Sequence, residues 1–597
     1  MSVTEAQTLF QQALEQHRKG ELAQAQLLYE EILKTQPRHF DALHLLGVIA
    51  VQMNKHLLAV ELITKAIEVN PNHPSAYSNR GMALKGLNRL DEAVASYDRA
   101  IALRPDYADA YFNRGNTLQG LKRLDDALAS YEKAIMLRPD CDFQSGTLLL
   151  TRMKLCEWRG LADNLRNLEA DIRSFKKTSP PFETLALLDS PELHKQAAEM
   201  YAETLYPQRE QLGKIEKRAR RDRIHVGYFS ADFHNHAVSY LMAELFEIHD
   251  PARFELFGFS FGPDTQDEMR KRVSAAFDTF IDVRDKSDRE VAEQARELGI
   301  DIAINLSGFT CDSRPGIFAQ RCAPIQVSYL GYPGTMGAEY MDYIIADKTV
   351  IPSERESDYT EKVVYLPHSF LVNDSTRKIS ERVFTRQEFG LPDSGFVYCC
   401  FNNSYKILPS TFDGWMRILK AVKGSVLWLR EDNPTAARNL RQEAEARGVE
   451  PGRLLFAHSI PMDEHLARQR VADLFLDTLP YNAHTTASDA LWAGLPLLTC
   501  MGRSFAGRVA ASLLTAIDLP ELITRTEGEY EALAIALALD PVRVAEIKRK
   551  LEMNRRTSPL FNTKLFTRDL ESAYEAMYER YQADLPLERI EIHFTRS

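Results

Sequence analysis

Four prolines, Pro37, Pro71, Pro105 and Pro139, stand 34 residues apart near the start of this chain, and the residues between them repeat in kind. Ala25, Ala59, Ala93 and Ala127 keep the same spacing, as do Ala13, Gly47, Gly81 and Gly115. Two large apolar columns accompany them: Leu33, Ile67, Ile101 and Ile135, then Tyr29, Ile63, Tyr97 and Tyr131. A period of this length accommodates a helix, a turn and a second helix. The small residues let the two helices of a unit pack closely, and the proline ends each unit. Stacked in series, the four units form a right-handed solenoid with a concave groove, a surface suited to extended peptides or partner proteins.

The period and the small/large alternation resemble the tetratricopeptide repeat, which fixes residues 1–140 as an α-solenoid. Asn79 and Asn113 occupy equivalent positions on first helices. They either present their amides to a bound peptide backbone or are solvated polar positions. Residues 141–220 keep helical patterning without the period, with helices expected over 146–159 and 191–205. They form a helical connector. Its basic run, Lys214–Arg223, reads as a solvated junction face.

Composition narrows the function classes. A net charge of −11 over 597 residues disfavours nonspecific binding to nucleic acid or to an anionic membrane. No basic and apolar leader opens the sequence, and no run of about 18 apolar residues could span a bilayer. The cysteines at 141, 156, 311, 322, 399, 400 and 500 form no CxxC pair and no zinc spacing. An odd, scattered set indicates reduced thiols used in core packing and a cytoplasmic location.

From Ile224 onward, strands alternate with helices. Strands are expected at 224–229, 254–261, 300–306, 325–329 and 343–346, then at 397–401, 425–429, 454–457, 474–477 and 496–499. Helices between them are expected at 239–248, 289–298, 411–421, 436–447, 465–471 and 487–493. Such alternation predicts two parallel sheets covered by helices, over 221–380 and 381–585, joined by a linker near 372–385. Two doubly wound lobes facing each other leave a cleft at the carboxyl ends of their strands.

Residues that can do chemistry lie on the loops after those strands. The first strand runs into Asp232 and His236. The strand at 397–401 runs into Asn403 and Lys406. The strand at 454–457 leads to Ile460 and His465, with Arg468 one turn further on. Residues 482–499 place His484, Thr485 and Thr486 at the start of a helix, with Asp489 one turn inside. Unpaired N–H groups at a helix start suit a diphosphate, and a carboxylate one turn in reaches a ribose. An ordinary helix cap would use the same residues. There is no Gly-rich phosphate loop and no Asp-x-Asp at a convincing strand end, so no metal is expected to hold the diphosphate. Positive charge must then come from Lys406, Arg468 and helix N-termini. His236 titrates near neutral pH and can take a proton, while Asp232 either orients it or takes the proton itself.

Residues 225–236, 330–335, 341–347, 398–406, 482–496 and 558–564 together resemble the O-linked N-acetylglucosaminyltransferase family, in its bacterial form without an insert between the lobes. The resemblance covers about 224–580. It implies a GT-B fold of two Rossmann-like lobes and an inverting, metal-independent transfer of GlcNAc from UDP-GlcNAc to Ser/Thr hydroxyls of proteins. It also implies that no cofactor is needed beyond the donor substrate, and that protein or peptide acceptors reach the site through the repeat groove. By the same resemblance, Asp232 and His236 match base or acceptor-side groups, and Leu330 and Gly331 lie near the sugar. Lys406 touches the diphosphate, while His484, Thr485 and Thr486 cradle it. Ile460 offers its backbone to uracil, His465 stacks on the base with Arg468 nearby, and Asp489 binds the ribose. Two positions depart from the family: Asn403 stands where it has Gln, and Met462 where it has Lys. These departures keep a GDP-fucose-dependent protein O-fucosyltransferase as an alternative. A repeat scaffold with a decayed catalytic domain is the alternative from another class.

Overall fold

A computed structural model of the chain describes residues 3–593. The described residues divide into two compact units, 3–144 with 283–291, and 145–282 with 292–593.

The first unit carries the repeats as eight helices: Val3–Arg18, Leu22–Thr35, Phe40–Gln52, His56–Val69, Pro74–Gly86, Leu90–Leu103, Ala108–Gly120 and Leu124–Leu137. The size columns interlock. A Cβ placed on Gly47 would meet Ile63 at 2.4 Å, on Gly81 the Tyr97 ring at 2.7 Å, and on Gly115 the Tyr131 ring at 2.6 Å. The small column is therefore small because the large column of the same unit presses into it. A further column, not anticipated from the sequence, sets the turns. Gly20, Asn54, Asn88 and Lys122 share the 34-residue spacing, and all four have φ between 57° and 80°. Glycine and asparagine accept that left-handed backbone easily; Lys122 does so at some cost. Asn79 gives its amide to His44 Nε2 at 2.9 Å, so part of its capacity is already engaged within the repeats.

The second unit opens with the connector. Its helices Gln144–Lys154, Leu161–Arg173, Pro181–Leu187 and Pro191–Leu205 lead into two α/β lobes. The first lobe contains β1 (Ile224–Ser230), β2 (Phe254–Ser260), β3 (Thr279–Asp282), β4 (Ile302–Asn305), β5 (Ile325–Ser328), β6 (Tyr343–Ala346) and β7 (Lys362–Tyr365). The second contains β8 (Val397–Cys400), β9 (Val426–Arg430), β10 (Leu454–Ala457), β11 (Leu474–Leu476), β12 (Leu497–Cys500) and β13 (Ile523–Thr524). A last strand, β14 (Ile590–Glu591), returns to the first lobe. The sheet orders are 14-7-6-5-4-1-2-3 and 10-9-8-11-12-13, parallel throughout. The two doubly wound lobes expected from the strand/helix alternation are present.

Several features depart from expectation or sharpen it. Helix Thr563–Gln582 lies at the end of the span expected as the second lobe, yet it packs on the first. The Tyr574 and Tyr228 hydroxyls meet at 3.0 Å, and Glu571 meets His249 at 3.1 Å. The chain thus crosses back to cover a face of the first sheet that would otherwise be bare. The basic run 214–223 is mostly exposed, as a solvated junction face should be, and three of its residues form ion pairs. Lys217 reaches Asp584 at 2.6 Å, Arg223 reaches Glu255 at 2.5 Å, and Arg220 pairs with Glu579. Cys311 is exposed and Cys141 half-buried, while the other five thiols are buried.

The connector braces both lobes. Asp189 accepts backbone N–H groups of Arg503 and Ser504 at 2.8 and 2.9 Å, and the carbonyl of Lys154 accepts from Ser404 Oγ at 2.8 Å. Lys195 donates to the carbonyl of Ser357 at 2.9 Å. Between the lobes, Ser512 Oγ donates to the buried Asp347 at 2.6 Å.

Candidate active site between the lobes

The first lobe brings three distant loops together because β5, β4 and β1 are neighbours. After β1, the Ala231 N–H bonds Ser307 Oγ at 3.4 Å, on the loop following β4. After β5, Gly331 lies so close to that loop that a Cβ would sit 1.8 Å from the Leu306 carbonyl oxygen. Only glycine fits there. Its neighbour Leu330 is forced to φ 66°, a left-handed conformation that costs a branched residue on the order of 1 kcal/mol.

Asp232 and His236 belong to the same loop. His236 caps helix Ala237–Ile248, its Nδ1 accepting the Val238 N–H at 3.4 Å. The same Nδ1 stands 3.5 Å from Asp232 Oδ1. Two tautomers therefore compete. With a proton on Nδ1, the ring donates to Asp232 and leaves Nε2 free as a base. With Nδ1 bare, it caps the helix. His236 keeps 44% of its side chain exposed, yet the walls crowding it lower its pKa below the usual value. Burial raises Asp232 to about 6, with His234 opposing and Asp312 adding to the rise.

In the second lobe, a short 3-10 turn at Ser404–Lys406 follows β8. Asp432, after β9, takes the Ser404 N–H and fixes that turn. Lys406 is 7% exposed; its Nζ donates to the Asn482 carbonyl at 2.8 Å and lies 4.2 Å from the Tyr481 ring centre. His484 stacks on the same ring at 4.7 Å. Burial pushes Lys406 down to about 8, while the nearby Asp477 pulls it back up. Asp477 is itself held by the Thr478 and Ala483 N–H groups at 2.8 and 2.6 Å and by Thr499 Oγ1 at 2.7 Å.

Helix Thr485–Ala493 starts beside this lysine. The N–H groups of Ala487 and Ser488 both bond the His484 carbonyl, and among the described residues nothing accepts from the N–H groups of Thr485 and Thr486. The Thr486 hydroxyl donates to Asn402 Oδ1 at 2.6 Å, which leaves its oxygen able to accept. His484 Nε2 donates to the Ala506 carbonyl at 3.0 Å, and burial together with Lys406 keeps the ring neutral.

Several expected roles are corrected or sharpened. Arg468 is 3% exposed and offers no free charge to the cleft. Its guanidinium donates to the His458 carbonyl at 2.5 Å and to His465 Nδ1 at 3.0 Å, and it lies over the Phe401 and Trp428 rings. What it does is set the tautomer of His465, whose pKa burial and Arg468 lower to about 3. His465 is thus a neutral flat ring, and it lies on helix Met462–Arg468 with Ile460 just before that helix. Asn403 accepts from Arg430 at 2.8 Å instead of standing free. Asp489, 4% exposed, already pairs one carboxylate oxygen with Arg377 of the interlobe segment.

Arg377, Tyr481 and Asp477 were not anticipated. Tyr481 sits in Pro-Tyr-Asn-Ala, just before the His-Thr-Thr helix start, a position that draws attention. Arg377 carries no local signal, because its partner lies 112 residues away.

The arrangement can hold a nucleoside diphosphate. It offers a neutral ring for a base, a carboxylate for a ribose, and a lysine with free N–H groups for phosphate. Across the cleft, a histidine–carboxylate pair can receive a proton. The family description Glycosyl transferase family 41 fits residues 206–382 and 377–570, and tetratricopeptide descriptions fit 10–76, 62–95, 83–122 and 108–141. The probable UDP-N-acetylglucosamine–peptide N-acetylglucosaminyltransferase SEC of Arabidopsis thaliana is 38% identical over 362 residues, 60% of this chain and 37% of that protein. The UDP-N-acetylglucosamine–peptide N-acetylglucosaminyltransferase of Caenorhabditis elegans is 30% identical over 480 residues, covering 62% of this chain and 42% of that protein. This chain spans about two fifths of the length of these relatives. The structure of a mutant Thermobaculum terrenum O-GlcNAc transferase superposes with a TM-score of 0.62 at 26% identity, covering 98% of this chain and 100% of that one.

Proposed function

Because the chain belongs to glycosyl transferase family 41, we propose that it moves GlcNAc from UDP-GlcNAc to Ser/Thr hydroxyls of proteins by a metal-independent, inverting displacement. The observation that carries this reading is Lys406, a buried ammonium beside the free N–H groups of Thr485 and Thr486. A leaving diphosphate develops charge as the sugar bond breaks. A fixed cation and a helix start stabilise that charge without the reorganisation that solvent would need.

The acceptor hydroxyl attacks the anomeric carbon from the face opposite the diphosphate, which inverts its configuration. Its proton goes to the His236–Asp232 pair, either to His236 Nε2 with Nδ1–H turned to Asp232, or to the carboxylate itself. Leu330 and Gly331 border the sugar, and the close approach of Gly331 to Leu306 leaves room there. His465 and the backbone of Ile460 receive the base, and Asp489 the ribose. The repeats gather the acceptor polypeptide. The UDP-N-acetylglucosamine donor of the Arabidopsis and Caenorhabditis relatives, together with the 98% coverage by the bacterial O-GlcNAc transferase structure, supports the choice of UDP-GlcNAc. Among the described residues no helix is long and apolar enough to cross a membrane.

In excess EDTA, the protein is expected to release UDP from UDP-GlcNAc in the presence of a Ser/Thr peptide and to leave GDP-fucose unused. A loss of turnover that Mg²⁺ or Mn²⁺ restores would overturn metal independence. Turnover of GDP-fucose alone would overturn the donor.

A further inference from the structure

We propose that Arg377, in the segment between the two lobes, is a positioning residue for the ribose of the donor nucleotide. It holds Asp489 so that one carboxylate oxygen is tied to protein and the other is presented to a ribose hydroxyl. The inference rests on the nucleotide-donor reading and adds to it a residue outside the strand-end loops.

The segment around Arg377 follows the nucleotide side of the second lobe closely. Asn373 accepts from Ser488, on the same helix as Asp489. The Trp492 indole N–H, one turn beyond Asp489, donates to the Arg377 carbonyl at 3.2 Å. The Ser380 N–H bonds the Asp463 carbonyl at 3.1 Å, at the start of the helix that carries His465. The segment therefore spans from the expected ribose helix to the expected base helix, and Arg377 lies between them.

The side chain itself is the second argument. Arg377 is 6% exposed at the side chain and its Nη2 donates to Asp489 Oδ1. Among the described residues none donates to Asp489 Oδ2. A buried guanidinium bonded to one oxygen makes a charge-assisted hydrogen bond and fixes the plane of the group. The remaining oxygen then has one direction in which to accept. The positive charge of Arg377 also reaches His465, where it joins burial and Arg468 in keeping that ring neutral, and Tyr240 on the first lobe's His236 helix. One arginine thus faces the groups expected to contact base and ribose.

The test compares affinities for UDP and 2′,3′-dideoxy-UDP by titration calorimetry in the full chain, as wild type, R377M, R377K, D489N and the R377M/D489N double variant. A charge-assisted hydrogen bond to one or two ribose hydroxyls predicts that the wild type prefers UDP by about tenfold or more. In R377M the preference is expected to shrink to within about threefold, matching D489N, and the double variant should lose no more than either alone. R377K, which keeps a charge without the fork, should restore part of the preference, and it serves as the readout if R377M does not fold. If R377M or R377K retains the wild-type preference while affinity for both nucleotides falls together, Arg377 only braces the fold and the proposal is overturned. A wild type that prefers GDP would sink the UDP assignment alone. The same comparison with GDP and its dideoxy form would then decide the role of Arg377. A wild type indifferent to the ribose hydroxyls would sink the proposal whatever the base.

Discussion

Lys406→Ala is expected to slow transfer by about 100–1,000-fold while the second lobe stays folded. The ammonium sits 2.8 Å from the Asn482 carbonyl and over the Tyr481 ring, so it is placed before any ligand arrives. Its effect falls on the developing charge of the diphosphate more than on the bound ground state. The loss should therefore appear in kcat, with KM for the donor changing far less. The fold should tolerate the change because burial already disfavours the charged lysine, and Asp477 keeps its own donors from Thr478, Ala483 and Thr499. Steady-state kinetics with near-UV circular dichroism on the same sample check both halves. Turnover close to wild type would remove Lys406 from the mechanism.

Asp232→Asn is expected to move activity and stability in opposite directions. Burial raises this carboxyl from 3.8 to about 6. Between those values the folded state binds more protons than the unfolded state. Stability therefore falls as pH rises from about 4 to about 6, and the cost is fully present at neutral pH. Asparagine removes that cost, so the variant should gain about 1–2 kcal/mol at pH 7, read as a higher Tm. Transfer should fall on the order of 100-fold or more, because His236 loses the partner that holds a proton on Nδ1. The wild-type kcat/KM should rise with pH and level off above about 6, and in the variant the part of that limb set by Asp232 should be lost. A variant with unchanged rate and unchanged pH profile would show that Asp232 is a spectator.

The repeats were legible because each size column is local and recurs, so an error at one unit is corrected by the other three. The strands expected at 343–346 and 454–457 fall on β6 and β10, since apolar runs between polar loops can be little else. The strands not foreseen are short or at edges: β3, β7, β13 and β14. β13 and β14 have two residues each, and β7 opens on an exposed lysine. The return of helix Thr563–Gln582 to the first lobe depends on which sheet face is left uncovered, which no local pattern records.

The site shows the same division. Lys406, His465 and the Thr485–Thr486 helix start could be placed on strand-end loops because a parallel sheet puts such loops on one edge. Arg468 was misjudged because an arginine on a helix normally points to water. Here Trp428 and Phe401, from and beside neighbouring strands, enclose it and turn it into a brace for His465. Arg377 was invisible because its partnership with Asp489 is created by the path of the chain between the lobes, not by spacing.

Transfer itself tests the account most directly. Intact-mass analysis of a Ser/Thr-rich protein acceptor, incubated with the full chain and either UDP-GlcNAc or GDP-fucose in EDTA, reads donor, acceptor and metal dependence together. The account predicts acceptor gaining N-acetylhexosamine from UDP-GlcNAc, lost when His236 or Lys406 is replaced by alanine. Acceptor gaining only deoxyhexose from GDP-fucose, or gaining N-acetylhexosamine equally well without Lys406, would contradict it.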